Sequence, residues 1–596
     1  MWDLFLAELL TAFLADLVLA IVGMYNNIIS DEYKVYFCPS KQMQIELKQK
    51  TNGGFLFNTQ NSILSATFIL AVAGGLSALL GFIKTRLLAS YFGVSNVLAV
   101  FYTADRVPNL IYSILIVGAV SAVFIPVFTG LLKKDKQEAF DVASSIINTT
   151  LLFFIFAGLI IFIFSPQIIR LLSLGNFSEE EITLGSNLMR IMLIAQTILV
   201  VGSLSTSILQ SFKYFAIPAL APVAYNLGMI VGIVFLSKTM GMYGPAIGVV
   251  IGALLHFGIQ APFLRKAGFS FRPKLNLKDT NFKKTLSLVP PRIMSVLLAN
   301  VTQTINNSLA ILVSTSSVIY LKFADQLQTL PITLFGISMA AAALPTLSAQ
   351  NSLDEREDFK NTFITSFFQM MYLVMPISAI LLILRVPVVR LVYGVHNFPW
   401  DATIKTAWTL AFFSIGIFAQ SANYLITRAY YALKDTVTPV IINVATALIN
   451  VSLSIAFVTH FKLGVWSIAF SYTITSLIDM IFMFIFLNKK IGGFNKKKIL
   501  YPFVKISMST MFMGVMLYIP MRFLDKFVFD TTRTINLLGL TIIAGVLGVA
   551  TYIMFTSLFK VKEIQLFYRL AGKIKLSSRG LPSEAISLTE TGREKI

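Results

Sequence analysis

The chain alternates long apolar runs with short polar breaks. A bilayer's hydrocarbon core takes about 20 apolar residues as helix. Runs of that kind fall at about 62–84, 97–131, 142–164, 185–210, 218–237, 243–263, 284–313, 317–348, 361–384, 404–430, 438–458, 463–487, 499–521 and 535–559. The pattern predicts an all-α polytopic membrane protein with 14 transmembrane helices. Several runs exceed the bilayer thickness, so tilting or kinking is expected. Pro126, Pro331 and Pro345 stand inside such runs, where proline interrupts the hydrogen-bond ladder. The opening run WDLFLAELLTAFLADLVLAIVGMY carries Asp3, Glu8 and Asp16 and lacks the basic start of a secretory signal. It reads as one extra, weakly inserted helix.

The polar breaks orient the helices. The break at 264–285 holds Arg265, Lys266, Arg272, Lys274, Lys278, Lys283 and Lys284; that at 488–498 holds Lys489, Lys490, Lys496, Lys497 and Lys498. Lys133, Lys134 and Lys136 follow the second helix, whereas Glu179, Glu180 and Glu181 follow the third. Basic loops stay in the cytoplasm, so the even-numbered loops and the basic tail are expected there.

The runs also repeat. ADRVPNLIYSILIVGAVSAVFIPVF from Ala104 returns as ADQLQTLPITLFGISMAAAALPTLS from Ala324. Ile169-Arg170-Leu171 returns as Val389-Arg390-Leu391, Lys213 with Pro218 as Lys434 with Pro439, and Gly244 as Gly464. The offset is about 220 residues and spans six helices. An even helix number keeps both copies in one orientation, giving a parallel repeat with its pseudo-axis along the membrane normal. Transporters with a substrate site between two halves are built this way; a duplication without transport is the plain alternative. The expected organisation is an N-terminal extension (1–57), two six-helix lobes (58–275 and 276–490), two additional helices (491–560) and a basic tail (561–596).

Composition agrees with the runs. Of 596 residues 56% are hydrophobic and 13% charged. Soluble domains carry about 25% charged residues. The net charge of +20 would suggest nucleic acid in a soluble protein, but here it lies in short loops and the tail, and no nucleic-acid partner is expected. One cysteine, Cys38, excludes an internal disulfide framework. His256, His396 and His460 show no metal-ligand spacing. There is no phosphate-binding loop, HExxH or GxSxG, so neither an ATP-driven pump nor an enzyme is expected, and no cofactor.

What remains is polar chemistry at membrane depth. Lys84 and Arg86 interrupt GFIKTRLLASYFG. Two positions apart on a helix they point about 200° from each other, one toward the lobe interface and one toward the rim, where long cations snorkel to headgroups. Asp105 and Arg106 sit in the second helix; Lys322, Asp325 and Gln326 sit in the eighth. The repeated Asp reads as a lobe-packing or capping device, or as a substrate contact. Arg292, Asn300, Gln303 and Asn307 share roughly one face of the seventh helix. Such a stripe lines a wet cavity or glues helices together. Asp479, Asn443 and Asn450 supply the carboxylate and amide oxygens that suit a hard coupling cation, Na+ or H+. A protonated Asp479 packed between helices is the plain alternative.

The stretch SALLGFIKTRLLASYFG, then ADRVPNL, GAVSAVFIPVF, FADQL, ALPTLS and YYALKDTVTP, resembles the MurJ (MviN) lipid II flippases from about Asn61 to Lys560. The resemblance implies flipping of an undecaprenyl-pyrophosphate-linked peptidoglycan precursor across a bacterial inner membrane by alternating access. It further implies an arginine-lined central cavity and a lipid-tail groove on the last two helices. Membrane lipids and cell-wall synthesis proteins are the expected partners. The chain departs from the family where arginines are usual: Ala78, Tyr112 or Ser113, and Gln326 stand there, Lys84 replaces another, and Thr85 replaces an acid. Lys84 keeps charge without the bidentate fork. Arg86, Arg106 and Arg292 are the candidate replacements. A cation-coupled exporter and a non-transporting scaffold are the competing readings.

Overall fold

Helices begin where a short polar side chain satisfies their first free amides. Ser95 accepts from the Leu98 amide, Asp135 from Gln137 and Glu138, and Ser178 pairs with Glu181 in a capping box. In the computed structural model these starts and their apolar runs give a succession of helical segments among the described residues. Residues 63–120, 124–132, 134–272, 290–353, 355–531 and 533–564 are described. The N-terminal extension with its expected extra helix, and the tail beyond 564, lie outside them.

The segments are α1 (Ile63–Phe92), α2 (96–132), α3 (Lys136–Leu172), α4 (Glu179–Ser211), α5 (Ala216–Met240), α6 (Tyr243–Lys266) and α7 (Pro290–Val313). Then come α8 (Ser317–Ser352), α9 (Arg356–Ile383), α10 (Trp400–Ala432), α11 (Val437–His460), α12 (Trp466–Lys490), α13 (Lys496–Phe527) and α14 (Thr534–Leu558). Among the described residues, 13 of these are long and apolar enough to cross a membrane. The exception is α2. Its expected single span is divided into Asn96–Ala104, Arg106–Tyr112, a π-helical Ser113–Val120 and Phe124–Leu132. The division falls at Asp105, where two ionisable residues enter the run. A short helix unforeseen from the sequence, Arg385–Tyr393, links α9 to α10.

Packing pairs recur six helices apart. α4 packs on α3 and α6, and α10 on α9 and α12; α5 pairs with α6, and α11 with α12; α1 rests on α5, and α7 on α11. The wide turns recur too: α2 and α8 each hold a π segment at the same repeat position, Ser113–Val120 and Ile332–Ile337. π turns free backbone groups and often mark functional places. α13 and α14 pair with each other and dock on α9, where the Tyr552 hydroxyl donates to the Tyr372 carbonyl at 2.9 Å.

The two helix sets related by this pairing, α1–α6 and α7–α12, here the first and second lobes, meet at the end carrying the loops after odd-numbered helices, here the odd end. One apolar core there draws Leu88, Leu98 and Phe101 from the first lobe and Tyr320, Phe323, Tyr393 and Phe398 from the second. Tyr102 meets Phe323 edge-on at 6.4 Å, and Phe323 stacks on Tyr393 at 4.3 Å. Toward the even end α7 leans on the π segment of α2.

Candidate functional site

Beneath that aromatic plug lies a cavity of about 420 Å³. This falls within the roughly 300–1,000 Å³ of small-molecule sites. α7 contributes Asn300, Gln303 and Asn306; α8 contributes Lys322 and Asp325; α12 contributes Asp479. α10 and α11 supply further amides and hydroxyls, among them Gln420, Asn443 and Asn450. Among the described residues only Arg106, on α2, lines it from the first lobe. A side chamber of about 100 Å³ continues between the lobes past Tyr102, Asp105, Arg106 and Lys322.

The two ends of this space differ in charge. At the lobe interface Arg106 and Lys322 face Asp105 and Asp325. None of the four forms a salt bridge among the described residues. Arg106 Nε donates to Asn307 Oδ1 at 3.4 Å, and Asn307 donates to Thr103 at 3.4 Å, so α7 is tied to α2. At the far end, inside the second lobe, Asp479 stands with the Thr446 hydroxyl beside it, and its Oδ1 finds no hydrogen-bond partner among the described residues.

An amide relay crosses this second end. Asn306 donates to Asn450 Oδ1 at 3.0 Å, and Asn450 donates to Thr475 at 3.2 Å. Asn450 is therefore occupied in holding α7, α11 and α12 together. The Asn443 side chain lines the cavity without a hydrogen bond among the described residues.

The expected site residues separate accordingly. Arg106, Asn300 and Gln303 line the cavity together with Asp479, Asn443 and Asn450. Asn307 shares their helix face but is buried at the lobe contact. Arg292 falls on α7, and its side chain lies outside the described residues.

Three placements correct the expectation. Lys84 does not line the cavity; it turns into its own lobe, donating to Asn226 Oδ1 at 3.2 Å over the Tyr225 ring. Arg86 neither binds in the cavity nor snorkels to the rim. It crosses to the second lobe and donates to the carbonyls of Leu391 and Val392 at 2.7 and 2.8 Å. These are free carbonyls at the C-terminus of the short helix, where a cation is favourable. Gln326 also spans the lobes, accepting from Thr85 at 2.7 Å and donating to the Gly81 carbonyl at 3.2 Å. Nearby, Asn397 donates to the Ser90 carbonyl at 2.7 Å. Gly93 takes a left-handed φ of 60°, and any Cβ there would strike the Asn397 carbonyl.

Lys322 is the lining cation that helical spacing did not single out. Its polar neighbours come from other helices, so no pattern within α8 reveals them.

The lipid II flippase MurJ family matches residues 88–537. A protein of Buchnera aphidicola named probable lipid II flippase MurJ is 25% identical over 505 residues, covering 83% of this chain and 97% of its own. One of Thermotoga maritima with the same name is 26% identical, covering 85% and 98%. A solved structure described as lipid II flippase MurJ in an inward closed conformation superposes with a TM-score of 0.70 at 26% identity, over 83% of this chain and 98% of that one. A multidrug resistance MATE transporter of the MOP superfamily shares the fold at 15% identity, with a TM-score of 0.60 over 70% of this chain and 94% of its own. With three quarters of its length matched by that family, the chain belongs to the lipid II flippase MurJ family.

Proposed function

We propose that the chain moves a lipid-linked diphosphate sugar, the peptidoglycan precursor lipid II, across a bacterial cytoplasmic membrane. The observation that carries this reading is a cavity between two lobes with cations at the lobe interface, in a chain of the lipid II flippase family. An anionic headgroup entering a low-dielectric space needs fixed cations to replace its hydration. Arg106 offers them from the first lobe, while Asn300 and Gln303 present amides to sugar hydroxyls. The prenyl tail stays outside along α13 and α14, whose outer faces expose Met511, Val515, Ile542 and Val546.

Basic even loops put the even end and the tail in the cytoplasm, and the sealed odd end then faces outward. Loading is from the cytoplasm. Transport follows when the odd-end contacts of Arg86, Ser90 and Asn397 release and the lobes close at the even end. A monovalent cation, H+ or Na+, at Asp479 with the Asn443 amide supplies the reset, since a carboxylate oxygen left without a donor favours a bound proton or ion. Cell-wall synthesis proteins receive the delivered substrate. No bond is made or broken, and no cofactor is needed.

Asp479 also favours a second reading, a cation-coupled exporter of amphipathic drugs. Both are separated by purified protein in vesicles carrying labelled lipid II. The flippase reading expects label in the opposite leaflet with the natural sequence and at least tenfold less with Arg106→Gln. Folded protein that moves an amphipathic cation but not lipid II would overturn it.

A further inference from the structure

Two arginines stand together at the odd end and line neither chamber. Arg385 opens the short helix Arg385–Tyr393, and Arg522 lies near the end of α13. Their chain neighbours Leu384 and Met521 belong to one apolar cluster, and the two guanidiniums are close enough to repel each other. Neither has a carboxylate within salt-bridge distance among the described residues. Arg385 donates to the Leu382 carbonyl at 2.9 Å and lies over the Trp408 ring at 5.0 Å. Arg522 donates from Nε to the Tyr518 hydroxyl at 3.3 Å and lies over that ring. A guanidinium carries more donors than these contacts use. Asp525, one turn further along α13, is taken by the Thr531 hydroxyl at 2.8 Å. Arg385 also stands at a helix start to which Leu384 gives no side-chain cap, where the helix dipole favours an anion and opposes a cation. Two like charges gathered at such a place call for an anion from outside the chain.

Their position selects it. α13 has 32 residues, about 48 Å at the helical rise, whereas a hydrocarbon core is about 30 Å thick. Its last turns therefore stand at headgroup level. Trp408 and Tyr518 are exposed there, as aromatic side chains at a membrane interface are. Below Arg522 the same face of α13 continues through Tyr518, Val515 and Met511, all exposed. An apolar track thus ends in two arginines, which suits a lipid with a long chain and a phosphate head. Resting on the flippase reading, we propose that Arg385 and Arg522 form a landing site, outside the central cavity, for the polyprenyl diphosphate of the flipped lipid in the outer leaflet. Guanidinium forks bind phosphate oxygens two at a time. The tail keeps to α13 while the diphosphate passes from the cavity to the pair, and its capture there opposes return.

The test uses the full chain in phosphatidylcholine nanodiscs and a polyprenyl diphosphate with a photoreactive group beside its diphosphate. Crosslinked peptides are read by mass spectrometry, and lipid II transport is followed in vesicles. Crosslinks are expected on α13 between Tyr518 and Phe527. In Arg385→Gln/Arg522→Gln they should fall about tenfold, as for lost charge-assisted bonds, with cavity crosslinks and melting temperature unchanged and transport slower. Arg385→Lys/Arg522→Lys should keep more of them than the glutamine pair. Undiminished crosslinks in the glutamine pair overturn the site. So does their displacement by an equal amount of phosphatidylglycerol, which would assign the arginines to bulk anionic lipid. Lipid II transport by the natural sequence without crosslinks at the odd end removes the landing site and leaves the flippase reading standing. Arginine-dependent crosslinks without lipid II transport do the reverse.

Discussion

The pairs α5–α6 and α11–α12 occupy equivalent places in the two lobes, yet they are joined by different chemistry. α5 and α6 meet through glycine. A Cβ on Gly232 would run into the Gly248 backbone, and one on Gly228 into Gly252. Small residues let membrane helices approach backbone to backbone, where dispersion replaces the missing hydrophobic drive. α11 and α12 meet through hydroxyls and amides: Ser454 with Ser471 at 2.6 Å and Asn450 with Thr475 at 3.2 Å. Their larger side chains leave room, and Asn450, Ile468, Tyr472 and Asp479 line the cavity that results. The same pairing is thus a tight, dry wall in the first lobe and a wet chamber in the second. The first lobe lends the site one cation, Arg106, while the second supplies the rest of the lining.

The largest effect is expected from breaking the dry wall. Gly232→Leu forces a side chain into backbone that cannot yield, at a cost of about 3 kcal/mol, and thermal melting of detergent-solubilised protein checks it. Asp479→Asn attacks the wet chamber instead: lipid II transport in vesicles falls at least tenfold while melting stays within a few degrees. Unchanged transport would remove Asp479 from coupling. Arg86→Gln loosens the odd end, since hydrogen bonds to a charged group contribute about 1.5–3 kcal/mol. Accessibility of a cysteine placed at the buried Ala324 should rise about tenfold, and no change would mean that the aromatic plug alone holds the seal.

The smallest effect lies in the loop at the foot of α11. Asp435 caps that helix through the Val437 and Thr438 amides and pairs with Lys490 at 2.6 Å. Partial burial pushes its pKa up, but Lys490 and Thr438 outweigh this and hold it at about 2. A lowered folded-state pKa means stability that is present above the unfolded value and lost as pH falls through the folded one. Asp435→Asn keeps a capping oxygen but loses the ion pair, and should therefore lower stability by about 0.5 kcal/mol at pH 7. The difference should fade between about pH 4 and pH 2, as melting curves of both proteins across that range would show.

The all-α membrane class and the repeat were legible because lipid imposes apolar length on every segment, and glycine, proline and Asp recur at a fixed offset. Asn300 and Gln303 were legible because helical spacing alone aligns them. Asp479 was legible as a lone carboxylate in an apolar run. The fate of the cations was not. Arg86 reaches carbonyls 305 residues away and Lys84 an amide 142 residues away, and no local pattern names such partners. The broken course of α2 was hidden for a related reason: Asp105 and Arg106 look like two charges in a long span until the facing helix supplies Asn307.

In the proposed cycle the lobes part at the odd end for the substrate to leave. Ser90 and Asn397 face each other across that seam, and the chain's one native cysteine, Cys38, can be replaced. The measurement is lipid II transport in vesicles by Ser90→Cys/Asn397→Cys protein, oxidised and then reduced. Transport should be abolished by the disulfide and restored by reductant. Full transport with the disulfide formed would contradict it.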